Sequence, residues 1–414
     1  MFKQFRGRGA RLREAITKVA LIGLLGVPCS MAHAGPLEQA KRLHERLTGV
    51  PPDANGDALA QMQQYIANDN ARAAAYLAMD NDHFYDVTLV NWAAPWTNRD
   101  GNVFVDFNDY IATVVGMVRD EADFRGVLFD DVIYVGRAVS PAYNNSDNAH
   151  YEAIAERALP LQTTLERRVQ SQITGLPSEA TAGVLTTRAA SQAFFKAGTN
   201  RAQLRFTLMN HLCRDLEQLH DVTRPPDRIR QDVSRSPGGD SRAFLNGCMG
   251  CHNGMDPLAQ AFAYYNYNYD PDNDPDGLNG FLEYNQPDEL DPVTGTRVQE
   301  KYLINSTTFK LGFVTPDDKW DNYWRAGANA NLGWDLTLPS GGHGAKSMAR
   351  ELAYSDAFAS CQATKAFKAM CFREPQTSDD RTHITAMVSN FQTANYSAKS
   401  LFADAAVYCM GGDN

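Results

Sequence analysis

The sequence predicts a mainly α-helical protein of two helical domains. Three observations carry that expectation. Apolar residues recur at three- and four-residue spacing through most of the chain. The runs are punctuated by Gly and Pro, as helix ends require. One short run, Val132-Ile133-Tyr134-Val135, reads as a strand, stopped by Gly136. At 414 residues, 43% hydrophobic and 21% charged, the chain can bury ample core, and collagen, coiled coil and wholesale disorder are excluded. A net charge of −10 opposes nucleic-acid binding through a global field.

Residues 1–34 read as a secretory signal peptide. Lys3, Arg6, Arg8, Arg11, Arg13 and Lys18 precede the apolar run Val19–Val27, and Ala32-His33-Ala34 has the small-x-small form of a cleavage site. The run is too short to span a bilayer, which needs about 20 apolar residues. No adjacent Arg pair occurs, and Cys29, behind Pro28, is an unattractive lipid anchor. Cleavage after Ala34 removes six basic residues and one acidic residue, for a mature net charge near −15. The expected product is periplasmic or secreted, with no membrane span.

Helices follow in order. Pro36 opens an amphipathic run (Leu37, Ala40, Leu43, Leu47) closed by Gly49 and Pro51. Residues 57–67, 71–79, 109–119, 121–129 and 150–173 read as helices, the last broken near Pro160. The polar segment 175–183 is the expected boundary between an N-terminal domain (35–175) and a C-terminal one (183–414). Residues 187–220 are helical again, 224–239 form a charged linker, and 284–340 look irregular, with Trp320, Trp324 and Trp334 packing the core or a cofactor pocket. A helix over 345–372 and two closing helices near 381–393 and 397–409 complete the chain.

Chemistry enters with Cys248-Met249-Gly250-Cys251-His252. C-x-x-C-H is the attachment signature of c-type haem: two thiols reach the vinyl groups of one porphyrin and the next residue places an imidazole on the iron. Chance would produce it roughly 0.003 times in a chain of this composition. A zinc ribbon needs a second C-x-x-C, which is absent. A thioredoxin-type dithiol needs a preceding strand, where this chain has the turn-rich segment 235–241. Export agrees with haem attachment. His252 is the proximal ligand; His343 or Met348 is the candidate for the far side of the iron. Met255, one turn from His252, lies on the wrong side and is expected to pack. Arg228, Arg230 and Arg235 are candidates to meet the propionates, against a plain solvated linker.

The segment Asn246–Leu258 resembles the C-x-x-C-H-x-x-M-D-P signature of secreted bacterial monohaem cytochromes of the planctomycete type. Residues 46–52 (R-L-T-G-V-P-P), 183–186 (G-V-L-T) and Leu212-Cys213 are similar to further segments of those proteins. The resemblance implies one covalent haem c, a cytochrome c-like helical domain with long irregular insertions, and electron transfer with a redox partner it does not name. The tyrosine- and aspartate-rich segment 264–283 departs from the pattern. An iron with an open sixth position would instead permit peroxidase- or oxidase-type chemistry, and a haem-bearing binding protein is a third alternative. No G-x-S-x-G, H-E-x-x-H or P-loop occurs.

Two further expectations concern metal and sulfur. Residues 272–283 fit the EF-hand loop pattern, with Asp272, Asp274, Asp276, the Leu278 carbonyl and Glu283 as calcium ligands and Gly277 at the turn. Pro275 and the lack of a clear flanking helix argue for an acidic solvated loop instead. Of the other cysteines, Cys361 and Cys371 lie ten residues apart on one expected helix, about 15 Å along its axis and beyond disulfide reach. The preferred pairs are therefore Cys371–Cys409 and Cys213–Cys361.

Overall fold

The structure, a computed structural model, describes residues 34–53, 56–229, 242, 244–302 and 313–411. The expected signal peptide, apart from Ala34, lies outside the described residues, as do Arg230 and Arg235.

Helix α1 (Pro36–Thr48) starts with Pro36 in its first turn and ends on Gly49, whose φ of 75° lets its N–H reach the Glu45 carbonyl. Its buried stripe of Ala40, Leu43 and Leu47 packs on α2 (Asp57–Ala67) and α3 (Ala71–Ala78), the latter capped by the Asn70 side chain. Residues 84–97 are helical too, in consecutive π, α and 3-10 turns that bury Phe84, Tyr85, Leu89, Trp92 and Trp96. The sequence reading passed over this stretch because its apolar residues are too dense to mark one face. α4 (Asp109–Arg119) is buried from Asp109 to Val118, with Asn108 capping it.

Two expected helices are cut short here. Of 121–129 only Gly126–Phe129 is helical, and Glu121 takes a φ of 48°. Of 150–173, α5 (Ala149–Glu156) is followed by a turn at Leu161–Thr164 and then a strand. The expected strand is β1 (Ile133–Gly136), and its antiparallel partner is β2 (Leu165–Arg168). Glu166, Arg167 and Arg168 carry no strand signal of their own; pairing with β1 makes them one. The ribbon lies hard against α4, where a Cβ on Gly116 would stand 2.1 Å from the Tyr134 ring.

The chain then forms α6 (Arg188–Phe194) and α7 (Asn200–His211). The Asp109 carboxylate accepts from the first backbone N–H groups of α6 at 2.6 and 3.1 Å, and burial raises its pKa against those bonds. Next come α8 (Met249–Ala259) and the hairpin of β3 (Tyr265–Tyr269) with β4 (Gly280–Tyr284). A short ribbon of β5 (Lys319–Asp321) and β6 (Gly341–His343) leads into α9 (Gly344–Ala353). The helix expected over 345–372 breaks at Tyr354, and Ser355 caps α10 (Asp356–Cys371). The break precedes Cys361, so the spacing argument holds: the disulfides are Cys213–Cys361 and Cys371–Cys409, with Cα separations of 5.3 and 5.4 Å.

Helices α11 (Ser378–Thr393) and α12 (Ala398–Cys409) close the chain as expected. α12 packs on α10, α11 and α3, Arg72 of α3 pairs with Asp404 of α12, and Arg46 of α1 reaches the Met370 carbonyl. First and last helices thus share one core, and the chain from Ala34 onward is a single compact unit. The expected boundary at 175–183 lies inside that unit. That segment is held on both sides, with Gly183 N–H on the Asp130 carbonyl and the Tyr265 hydroxyl on the Ala180 carbonyl. The class is mainly α, and no described helix is long and apolar enough to cross a membrane.

Candidate functional site

The motif sits where a π-type turn, Phe244–Cys248, winds into α8. Cys248 is the residue before the first helical position and already has helical dihedrals (φ −113°, ψ −42°). Three-residue spacing puts the two sulfurs on neighbouring points of one helix face, with His252 beside them and Asp256 one turn further on. Among the described cysteines, Cys248 and Cys251 alone are free. Burial raises the Cys251 pKa, and Glu217 and Asp215 add to it. That is the reverse of the electropositive setting of a reactive dithiol.

Each residue after the cysteines has a structural task. The His252 ring meets the Asp256 carboxylate, Nδ1 to Oδ1, at 3.1 Å. Arg201 of α7 grips the same carboxylate with Nε and Nη2, both at 2.7 Å. Asp256 is 2% exposed. Burial opposes its charge, but the Arg201 guanidinium and the His252 bond outweigh that and hold its carboxyl well below the usual range. Asn253 Nδ2 donates to the Asp221 and Arg224 carbonyls, and Asp221 N–H donates to the Gly250 carbonyl, strapping 221–224 along α8. Gly254 lies under Trp324, where a Cβ would fall 2.0 Å from the indole nitrogen. Met255 is buried and packs in the core, as expected. Pro257 lies inside α8 and removes one backbone donor from it.

Sequence reasoning missed several of these neighbours. Arg201 carries no spacing signal that marks it as a partner of the motif, whereas Asp256, four residues after His252, has helical i,i+4 spacing to it. His220 was passed over as well; its exposed ring fills the space over Gly250, where a Cβ would lie 2.3 Å from Nε2. Leu245, three residues before Cys248, and Val222, in the 221–224 strap, are apolar side chains each 48% exposed.

The remaining candidates are dispersed. His343 ends β6, is exposed, and bonds Asp318 through Nδ1 at 2.8 Å. Met348 is fully buried in α9. The ring contact described for His252 is to Asp256, and neither His343 nor Met348 takes part in it. Arg228 does not stand free for a propionate: it pairs with Asp321 and donates to Gln260 Oε1 and the Lys319 carbonyl. Trp320, Trp324 and Trp334 are all buried.

The calcium expectation meets a different geometry. Residues 270–279 link two strands of a hairpin, not two helices. Tyr265, Tyr267 and Tyr269 alternate with Asn266 and Asn268, a period-two pattern that makes a strand. Glu283 stands opposite Asn266, well up β4, and its oxygens take the Asn268 and Gln299 amides. The Leu278 carbonyl is taken by Arg188, the Asp276 carbonyl by Lys196, and Asp274 Oδ2 by the Asn279 N–H at 2.6 Å; Asp272 is exposed. Among the described residues, no group of three or more His, Cys, Asp or Glu side chains is placed to hold a metal ion. The tyrosines pack: the Tyr267 hydroxyl closes on the Gly277 carbonyl at 2.7 Å.

Comparison of the chain with protein-family profiles, with curated proteins and with solved structures finds no match to any of them.

Proposed function

We propose that the chain is an exported monohaem c-type cytochrome of the planctomycete-type kind, which transfers electrons through one covalently attached haem. One observation carries the reading: the two thiols that the disulfides leave free are those of C-x-x-C-H, and they share a helical face with an imidazole whose Nδ1 is engaged, leaving Nε2 to face a metal. The donor set suits the group. Cys248 and Cys251 would form the thioether links and His252 would ligate the iron. The half-exposed Leu245, three residues before Cys248, offers apolar surface next to the motif in sequence. When bound, the haem supplies a one-electron Fe(III)/Fe(II) couple.

The chain's own part is to hold these residues in place. Asn253 and Asp221 fix the strap 221–224 to α8, Gly250 makes room for His220, and Gly254 lets Trp324 approach the helix closely. Disulfides fit export to an oxidising compartment.

Optical spectra of the purified, processed protein, oxidised and reduced, with and without carbon monoxide, test the proposal. A low-spin spectrum unmoved by carbon monoxide is expected, because electron transfer calls for two protein ligands on the iron. A high-spin iron that binds carbon monoxide would turn the reading to an oxidoreductase with an open sixth site.

A further inference from the structure

We infer that Asp256 and Arg201 together set the electron affinity of the iron site at His252, Asp256 pulling it down and Arg201 limiting that pull. The inference rests on the haem reading above and assigns these two residues a tuning role within it. Neither residue would touch the iron; both act through the His252 ring and are positioning residues.

The geometry is that of a three-member relay. His252 Nδ1 and Asp256 Oδ1 are 3.1 Å apart, and the two residues are one helical turn apart on α8. Asp256 is held by both of its oxygens in the fork of Arg201, which comes from another helix, α7. A carboxylate gripped in this way offers acceptor lone pairs, so the ring proton sits on Nδ1 and Nε2 is left unprotonated. A carboxylate is a stronger acceptor than a carbonyl or water. By drawing the Nδ1 proton it makes Nε2 a more basic ligand and favours the more highly charged ferric iron.

Burial makes the effect large. The Asp256 side chain is 2% exposed and that of Arg201 is 16% exposed, so little water competes for the bonds or screens the charges. Arg201 withdraws charge from the carboxylate and weakens its draw on the imidazole. The placement is rigid as well, because the neighbouring Asn200 side chain donates to the Ala259 carbonyl at 2.9 Å and ties α7 to the end of α8. The two residues therefore push the site in opposite directions.

The experiment compares exported wild type, Asp256→Asn and Arg201→Gln. Covalent haem is measured by pyridine haemochrome, midpoint potential by spectroelectrochemistry, and folding by thermal melts. Asp256→Asn keeps the shape and a neutral acceptor; its potential is expected to rise, with the reduced-to-oxidised ratio at a fixed poise up about tenfold, or 59 mV for one electron. Arg201→Gln is expected to fall below wild type, and Arg201→Lys, which keeps the charge without the fork, to lie between them. A merely structural role would shift the variants in one direction or not at all. Haem-loaded variants whose potentials stay put, or move the same way, overturn the inference while leaving the cytochrome reading intact. If Asp256→Asn does not fold, the order wild type, Arg201→Lys, Arg201→Gln decides. A wild-type protein without covalent haem overturns the cytochrome reading, and the tuning role falls with it.

Discussion

The C-terminal helices and the start of α8 treat sulfur in opposite ways. Cys361 and Cys371 on α10 are locked to Cys213 and Cys409, while Cys248, just before α8, and Cys251, in its first turn, are free. The surroundings differ to match. α10 and α11 start on side-chain caps and share a continuous core with α12; around the α8 turn, polar straps and a buried ion pair hold the neighbours of the free thiols. On the proposed reading, stability and haem attachment are carried by separate regions, so each can be broken without the other.

The largest effect expected is on the cofactor. Replacing Cys248 and Cys251 by Ser should abolish covalent haem, seen as loss of haem colour from the denatured polypeptide, while the two disulfides remain by thiol titration. The reverse experiment removes the staples. In the chain-entropy account, opening Cys213–Cys361, which closes a 148-residue separation, costs about 5 kcal/mol, and opening Cys371–Cys409, with 38, costs about 4 kcal/mol. Denaturant melts of the double-Ala variants should show that order, and haem per folded chain should be unchanged. Equal loss of haem in the disulfide variants would break the comparison.

A finer contrast lies within α8. Gly254→Ala drives a methyl into the fully buried Trp324 and should cost about 1–3 kcal/mol. Gly250→Ala meets His220, whose exposed ring can swing aside, and an alanine in a helix is favoured over glycine by about 0.5–1 kcal/mol. It should therefore be near neutral in the same melts.

The smallest effect is one of pH. Asp380 closes the capping box of α11 and is held by Arg373, by the N–H groups of Gln376 and Thr377, and by the Tyr408 hydroxyl; the Arg373 bonds lead in keeping its carboxyl well below the usual range. A carboxyl depressed on folding adds stability that is complete above its unfolded pKa, about 3.9, and is lost as pH falls below it towards the folded value. Asp380→Asn should melt earlier than wild type at pH 7, and the gap should close below about pH 4.

Where sequence and structure agree, the signal was local. α1 announces itself by Pro36, Gly49 and a clean apolar stripe, and the disulfide pairs followed from two cysteines sharing one helix. Elsewhere the sequence was silent because the cause is distant. β2 is a strand only because β1 lies beside it, and Arg201 finds Asp256 from 55 residues away. The EF-hand pattern matches residue types alone, and its residues fall on a hairpin that the alternating tyrosines set. A polar, Pro-containing segment such as 175–183 marks a loop inside one compact unit as well as a boundary between two.

The most direct test of the central claim is whether haem stays with the chain after denaturation. The full chain is expressed in a host that matures c-type cytochromes, purified, extracted with acidified acetone and examined as its alkaline pyridine spectrum. One haem per chain, retained by the extracted polypeptide and absent from the Cys248→Ser, Cys251→Ser variant, is the predicted result. A colourless polypeptide, or haem that leaves with the solvent, would contradict the account.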